Sequence, residues 1–327
     1  MLSASSRPKI RRMKRAALLL VAALVAGGLH AKAQQPAAAT ARDLVGTWTL
    51  VSTEQDLQAP RPTTVPNSRG VLIIDGGGHV FETITRANRQ LPAASPPISD
   101  RQTTFATFSG FWGGYTVDTR EKKIAFKPVG SVSPNVMGSE FTRTYDINGD
   151  RLIVTAPAGE PHTRVATRWT WERVPIVDNL SPGYRQVIGF WEHVFENRVN
   201  LTTGVTTPDT ARAPSVIVYT PSGYVGVHIP PLNRQRFAGA EPTADEASAA
   251  LRGYVGYFGA LGVYPGMVFH QILAGISPAQ GTTLKRFFEL KGTELNIRFP
   301  VTKNQQGQET TTLVTLKRLS GEKEMLR

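Results

Sequence analysis

Cysteine is absent from this sequence of 327 residues, and its absence excludes several kinds of chemistry. A disulfide framework, a thiolate metal site, a cysteine nucleophile and lipid attachment through an N-terminal cysteine all need a residue that the chain lacks. The protein must therefore be stabilised by its hydrophobic cores, and the chain is long enough for two cores of ordinary size.

Familiar catalytic and metal-binding signatures are also missing. The sequence has no Gly-x-Ser-x-Gly nucleophile motif and no His-x-His pair at the spacing that metal sites use. Residues 76–78 are three consecutive glycines, but they follow a predicted strand without opening a helix, so they indicate a hairpin turn rather than a phosphate loop. The sequence predicts neither a cofactor nor a bound metal.

Positive charge is abundant but concentrated near the N-terminus. Residues 1–33 hold seven basic residues and no acidic one, and without them the formal net charge falls from +12 to +5. The rest of the chain has no basic run, so it does not predict nucleic-acid binding.

The same N-terminal segment has the order of a secretory signal peptide. A basic stretch precedes an apolar run of 14 residues at 16–29, which is shorter than the ~20 residues of a membrane-spanning helix. Small residues then flank Lys32 where a signal peptidase would cleave. We expect a signal peptide at 1–33, a flexible leader at 34–41, and a periplasmic or secreted mature protein without stable membrane insertion.

The chain repeats itself with an almost constant offset of 143 to 146 residues. Such a register over most of the chain indicates a duplication. We place one domain at 42–178 and a second at 184–321. The matching segments include 46–48 with 189–191 (Gly-x-Trp in both), 71–74 with 216–219, 88–90 with 233–235, 108–113 with 254–259, and 143–145 with 286–288.

Each repeat is rich in short β-branched or aromatic runs that are separated by glycine, proline and asparagine turns. This pattern is typical of antiparallel strands joined by hairpins. One helix per repeat is predicted, at 99–106 and at 247–252, the second opened by a capping box from Thr243 to Glu246. The fold class predicted is all-β: two tandem antiparallel β-barrels, each with one short helix, with a sandwich as the rival.

The two repeats resemble the lipocalin-like domain family of bacteria and fungi, a relative of the calycin barrels. The segments that carry the resemblance are 44–52, 134–152, 219–224, 252–257 and 268–270. The resemblance implies an eight-stranded barrel that binds a small, largely apolar molecule. In such a barrel, Trp48 and Trp191 would close one end, with Arg173 and Arg318 stacked on their rings.

Candidate ligand-binding residues lie mostly in the second repeat. Three histidines there replace Leu50, Thr83 and Phe126 of the first repeat, and they are interpreted as core residues, as ligand-orienting residues or, least favoured, as a zinc site. A buried arginine at the same place in both repeats would either join a structural ion pair or anchor an acidic head group. The residues are His193, His228, His270, Tyr254, Tyr257, Arg143 and Arg286.

Two classes of function fit these observations, with a filled, purely structural barrel as a third. The favoured one is an exported protein that binds a small apolar or amphipathic ligand. The alternative is a cofactor-independent isomerase, cyclase or hydrolase acting in the second barrel, with His270 or His228 as the catalytic acid or base.

Overall fold

The computed structural model describes residues 40–86, 98–160, 163–209, 213–239, 241–276 and 281–326, with side chains left out at 98–102 and 209. The predicted signal peptide, most of the predicted leader and the Asn88–Arg89 segment lie outside these residues. Within them, no helix has the length and apolar character of a membrane-spanning segment.

The first barrel is one antiparallel sheet that closes on itself through pairing of its first and last strands. Strands β2 and β3 both pair with β1 on the same side, so eight strands surround the interior. The strands are β1 (Gly46–Gln55), β2 (Thr63–Thr64), β3 (Ser68–Ile74), β4 (His79–Arg86), β5 (Phe108–Asp118), β6 (Lys123–Ser131), β7 (Phe141–Asn148), β8 (Arg151–Ala156) and β9 (Thr167–Arg173).

The second barrel repeats this topology, again with eight strands around its interior. Its first and last strands, β10 and β19, pair over nine positions. The prediction of two tandem antiparallel barrels is therefore confirmed. The strands are β10 (Gly189–Asn200), β11 (Thr206–Asp209), β12 (Val216–Tyr219), β13 (Tyr224–Ile229), β14 (Val255–Tyr264), β15 (Met267–Gly275), β16 (Thr283–Lys291), β17 (Glu294–Arg298), β18 (Thr302–Lys303) and β19 (Glu309–Arg318).

Short helices lie between strands and at the barrel ends. Helix α3 begins after Thr243, whose hydroxyl accepts from the Glu246 amide while the Glu246 carboxylate accepts from the Thr243 amide. This reciprocal pairing is the capping box that the sequence predicts. The helices are α1 (Ile98–Thr107), α2 (Pro182–Val187), α3 (Ala244–Leu251) and α4 (Glu322–Met325), with a 3-10 turn at Ala41–Leu44.

The Gly-x-Trp motif closes one end of the first barrel. The Trp48 indole is fully buried and donates to the Leu44 carbonyl (3.0 Å), and the Arg173 guanidinium lies 3.8 Å from the ring centroid. Arg173 also donates to the Val45 carbonyl (2.6 Å). A Cβ on Gly46 would lie 2.5 Å from that guanidinium, so the motif requires glycine. We call this arrangement the Trp–Arg latch.

The second barrel has an equivalent latch. Trp191 donates to the Val187 carbonyl (2.7 Å), and the Arg318 guanidinium lies 4.1 Å from the ring centroid. Arg318 then donates to the carbonyls of Gln186 and Ile188. In both barrels, the last strand is thus tied to the turn that precedes the first strand.

The interior of the first barrel contains an ion pair among aromatic rings. Arg143 is fully buried and donates to Glu82 (2.8 Å) and twice to Glu160 (3.0 and 3.1 Å). Its guanidinium lies 4.5 Å from the Trp169 ring centroid and 5.1 Å from that of Phe141. Arg143 therefore has a structural partner on both sides, which is the first of the two roles expected for it.

The two barrels share a buried interface that relates equivalent positions. Phe81 packs on Gly226, its own counterpart, where a Cβ would come within 2.6 Å of the ring. The Thr83 hydroxyl lies 2.9 Å from the Nε2 of His228, which is also its own counterpart. The outward faces of the strands that carry these residues are therefore buried, as are the inward faces.

The latch should contribute measurably to stability. Substitution of Arg173 by Met removes the cation–π contact and leaves buried carbonyls without a donor, so we expect the free energy of unfolding to fall by about 2–4 kcal/mol. Arg318→Met should have a similar effect. Urea denaturation measures both, and Arg151→Met, at an exposed position on β8, is the control. Equal stability of Arg173→Met and Arg151→Met would contradict a latch.

Removal of one member of the buried ion pair should lower stability in a pH-dependent way. Arg143→Met leaves two buried carboxylates uncompensated, so we expect a loss of about 3–5 kcal/mol, largely recovered by adding E82Q and E160Q. Burial already raises the pKa of Glu82, and loss of the guanidinium raises it further. A raised pKa in the folded state favours folding at low pH, so the destabilisation should be smaller at about pH 5 than at about pH 8. A loss that does not change with pH would contradict this assignment.

Candidate functional site

His270 lies inside the second barrel between two tyrosines. Its Nδ1 is 2.7 Å from the Tyr257 hydroxyl and its Nε2 is 3.1 Å from the Tyr219 hydroxyl. All three side chains are buried, and strand pairing sets Leu284 opposite His270. The first barrel has apolar Ile74, Phe111 and Phe126 at the equivalent positions, so this Tyr–His–Tyr group is particular to the second barrel.

Burial governs the protonation of this group. Desolvation, together with the nearby Arg286 charge, lowers the pKa of His270 to about 3. Burial also raises the pKa values of both tyrosines well above their usual range. The imidazole is therefore neutral at physiological pH, so one phenol donates to the ring and the other accepts from its N–H.

Arg286 occupies the position in the second barrel that Arg143 occupies in the first. It is partly buried on β16, opposite the buried Val268, and its guanidinium lies 3.7 Å from the Phe299 ring centroid. Its hydrogen bond runs to the adjacent Lys285 carbonyl (2.8 Å). Burial lowers the pKa of this guanidinium, which also lies near Tyr219 and Tyr257.

A pocket of 390 Å³ opens beside Arg286, and we call it the second-barrel pocket. Leu284, Phe299 and Pro300 supply its apolar lining, and threonines of β18 and β19 supply hydroxyls. It lies where β16 and β19 begin, at the barrel end opposite the latch. Of the sequence candidates, Arg286 lines this pocket, whereas His270 and Tyr257 contact each other in the barrel interior and do not line it.

His193 also faces the interior of the second barrel. A bulge after it turns Val194 outward, while His193 itself pairs with the buried Leu316. Its Nε2 lies 3.3 Å from a Glu196 carboxylate oxygen. His193 thus has an acidic neighbour on its own strand. Among the residues that the structure describes, no hydrogen bond or ring contact joins it to His270.

His228 and Tyr254 lie between the barrels, away from the interior of the second barrel. The Tyr254 hydroxyl is 2.8 Å from the His228 Nδ1, and the His228 Nε2 is near Thr83 of the first barrel. His228 has no exposed surface, and burial lowers its pKa to about 3. The structure therefore does not bring His228 and His270 into one site.

A larger cleft lies at the end of the first barrel opposite its latch. It measures 530 Å³, and we call it the first-barrel cleft. Glu160 and Trp169, which contact Arg143, line it together with Ile84 and Ser109. Arg143 thus lies beside this cleft with its donors already engaged.

The second barrel supplies one wall of the first-barrel cleft. The Phe237 ring meets the Phe105 ring edge to face (5.3 Å between centroids), and the Phe237 amide donates to the Asn135 side chain (2.7 Å). Arg234 holds the same segment by donating to the Ser131 carbonyl (2.6 Å). The sequence analysis matched 88–90 with 233–235 but did not predict this cleft; the repeat of Asn-Arg-Gln in both halves was the available signal.

Among the solved structures that resemble the chain is a protein of unknown function from the DUF3598 family of Nostoc punctiforme, 11% identical, with 85% of this chain and 97% of that chain covered and a TM-score of 0.22. A putative outer membrane protein of Bacteroides fragilis is 12% identical, with 84% and 98% covered and a TM-score of 0.22. Transferrin binding protein B of Haemophilus parasuis is 9% identical, with 79% and 62% covered and a TM-score of 0.20. TM-scores of this size carry no conclusion about this chain.

Family membership rests on the sequence profile. No curated protein matches the chain at a significant level. The profile of the lipocalin-like domain matches twice, over residues 45–174 and 189–319, which are the two barrels. The chain therefore belongs to the lipocalin-like domain family and carries two of its domains in tandem.

Proposed function

We propose that this protein binds a small, largely apolar molecule at the open end of a barrel. The observation that carries the proposal is the first-barrel cleft, whose 530 Å³ falls within the range of ~300–1,000 Å³ that small-molecule sites occupy. Its lining combines apolar side chains, such as Ile84 and Trp169, with many serine and threonine hydroxyls, such as that of Ser109, and with charged groups, such as that of Arg164. The apolar side chains can pack on a hydrocarbon body, and the polar ones can bind polar groups at its end.

Catalysis in the second barrel is the alternative. The protonation and contacts of the histidines there favour a binding function over a catalytic one. A general base needs a nitrogen that is free to take a proton from the substrate, with a pKa near the working pH. Both nitrogens of His270 contact tyrosine hydroxyls, and its pKa is far below neutrality. His228, the second candidate, has no exposed surface. A role for these histidines in packing and polar satisfaction is better supported.

The proposal includes export. The order of basic, apolar and small residues in the first 33 positions supports a signal peptide, and the absence of cysteine suits an oxidising compartment in which thiols would be modified. We therefore place the mature protein in the periplasm or outside the cell, beginning at Gln34.

Filling the first-barrel cleft should abolish ligand binding there. Ser109 lines the cleft on β5, so Ser109→Trp places an indole in the space that a ligand would occupy. We expect the neutral probe N-phenyl-1-naphthylamine to bind the wild-type protein with enhanced fluorescence and to lose at least about tenfold in affinity in this variant.

Thr142→Trp is the matched control because it adds the same indole at an exposed position on β7. It should bind the probe as the wild type does. Equal affinity in Ser109→Trp and Thr142→Trp, with both variants folded by circular dichroism, would place the ligand elsewhere.

Export can be tested on the full-length chain in a Gram-negative host. We expect envelope fractionation to recover a protein whose intact mass corresponds to a start at Gln34. Leu20→Arg interrupts the apolar run and should leave the precursor in the cytoplasm. Recovery of uncleaved protein from the cytoplasm for both chains would contradict the signal peptide.

A further inference from the structure

Arg286 is a partly buried cation that forms no ion pair with a carboxylate among the residues that the structure describes. Its contacts are the Phe299 ring and the Lys285 carbonyl. Partial burial of a guanidinium costs free energy that a nearby anion offsets. An anionic ligand beside Arg286 would therefore be favoured.

The first barrel shows which groups compensate the equivalent arginine there. There the equivalent guanidinium of Arg143 meets Glu82 and Glu160. Strand pairing sets Glu82 opposite Phe111 in the first barrel and Val227 opposite Tyr257 in the second, so Val227 is the counterpart of Glu82. The duplication has kept the arginine and exchanged a carboxylate partner for a hydrocarbon.

The second-barrel pocket supplies room for a ligand beside Arg286. Its 390 Å³ is sufficient for a small amphipathic molecule, and Leu284, Phe299 and Pro300 offer hydrocarbon and ring surface. Thr312 adds a hydroxyl that can donate to an anionic oxygen, whereas the Thr310 hydroxyl already donates to the Thr302 carbonyl (3.3 Å). A planar guanidinium beside such a donor fits a carboxylate, which it can hold through two parallel hydrogen bonds.

The Tyr–His–Tyr group adds a further donor on the same interior. A neutral imidazole has one N–H and one bare nitrogen, so it uses the hydroxyl hydrogen of only one of its two tyrosines. The other phenol accepts from the ring and keeps its own hydrogen for a different acceptor. Both tyrosines lie near Arg286 in the barrel interior, although neither lines the second-barrel pocket itself.

We propose that the second-barrel pocket recognises the carboxylate of a small amphipathic acid, which pairs with Arg286 while its hydrocarbon body packs on Leu284, Phe299 and Pro300. This site is separate from the first-barrel cleft in both its residues and its ligand chemistry. The two proposals therefore stand or fall independently.

Ligands that differ only in the head group test the proposal on the mature full chain. Isothermal titration calorimetry with decanoate, decanol and decyltrimethylammonium, each below its micelle concentration, compares an anion, a neutral group and a cation on one hydrocarbon chain. We expect decanoate to bind at least about tenfold more tightly than decanol, and the cation to bind most weakly.

Variants of Arg286 assign the effect to one side chain. Arg286→Met should lose at least about tenfold in decanoate affinity while its decanol affinity stays unchanged, and Arg286→Lys should fall between it and the wild type. Arg298→Met is the control, since Arg298 is exposed on the neighbouring strand and stacks on Phe287. Removal of a partly buried cation that has no carboxylate partner should leave the melting temperature of Arg286→Met at or above that of the wild type.

A variant that gives Arg286 an internal carboxylate partner, as Arg143 has, makes the second barrel resemble the first. Val227→Glu restores a carboxylate at the position of Glu82, and we expect it to pair with Arg286 and to exclude decanoate. Should this variant fail to fold, the Arg286 series decides alone. No binding of decanoate, equal binding of decanoate and decanol, unchanged binding by Arg286→Met, or wild-type binding by a folded Val227→Glu would each overturn the proposal.

Discussion

Pairing of the first strand with the last in each sheet is the constraint from which the remaining structure follows. Closure removes the sheet edges and fixes, for every strand, which alternate side chains enter the barrel. The Trp–Arg latch then closes one end by tying the last strand to the turn before the first. The first-barrel cleft and the second-barrel pocket both lie at the opposite end.

Closure also gives each barrel an inward-facing arginine at the same place, and the two barrels satisfy it differently. Glu82 and Glu160 neutralise Arg143 within the first barrel, so this guanidinium contributes to the core rather than to recognition. In the second barrel the matching guanidinium borders a pocket and meets an aromatic ring. The same duplicated arginine thus stabilises the core of the first barrel and lines a pocket in the second.

The repeat, the strand segments and the capping box of α3 could be predicted from the sequence because each depends on local pattern or on register. The location of His228 could not. Period-two alternation separates two faces of a strand, but it identifies the interior only when the other face is exposed to solvent. On β13 the outward face is buried against the first barrel, so both faces are buried and the sequence carries no sign of which one faces the barrel interior.

The first-barrel cleft escaped prediction for a related reason. Its wall includes Phe237, which is 102 residues from its partner Asn135 in the chain and belongs to the other barrel. No spacing rule within one repeat connects these two positions. The partners of Arg143 were hidden in the same way, because Glu82 and Glu160 lie 61 and 17 residues from it and meet only inside the closed sheet.

The three histidines of the second repeat are candidates for one ligand site in the sequence analysis. The structure places them in three different environments. His228 lies at the interface, where it contacts Thr83 of the first barrel. His270 lies in the interior of the second barrel, where it contacts two tyrosines. His193 pairs with an acidic neighbour. The asymmetry that bears on ligand chemistry is therefore not the gain of histidine but the exchange at Val227. It leaves Arg286 without the carboxylate that Glu82 supplies to Arg143, and a guanidinium beside a pocket favours an anionic ligand more strongly than a neutral imidazole does.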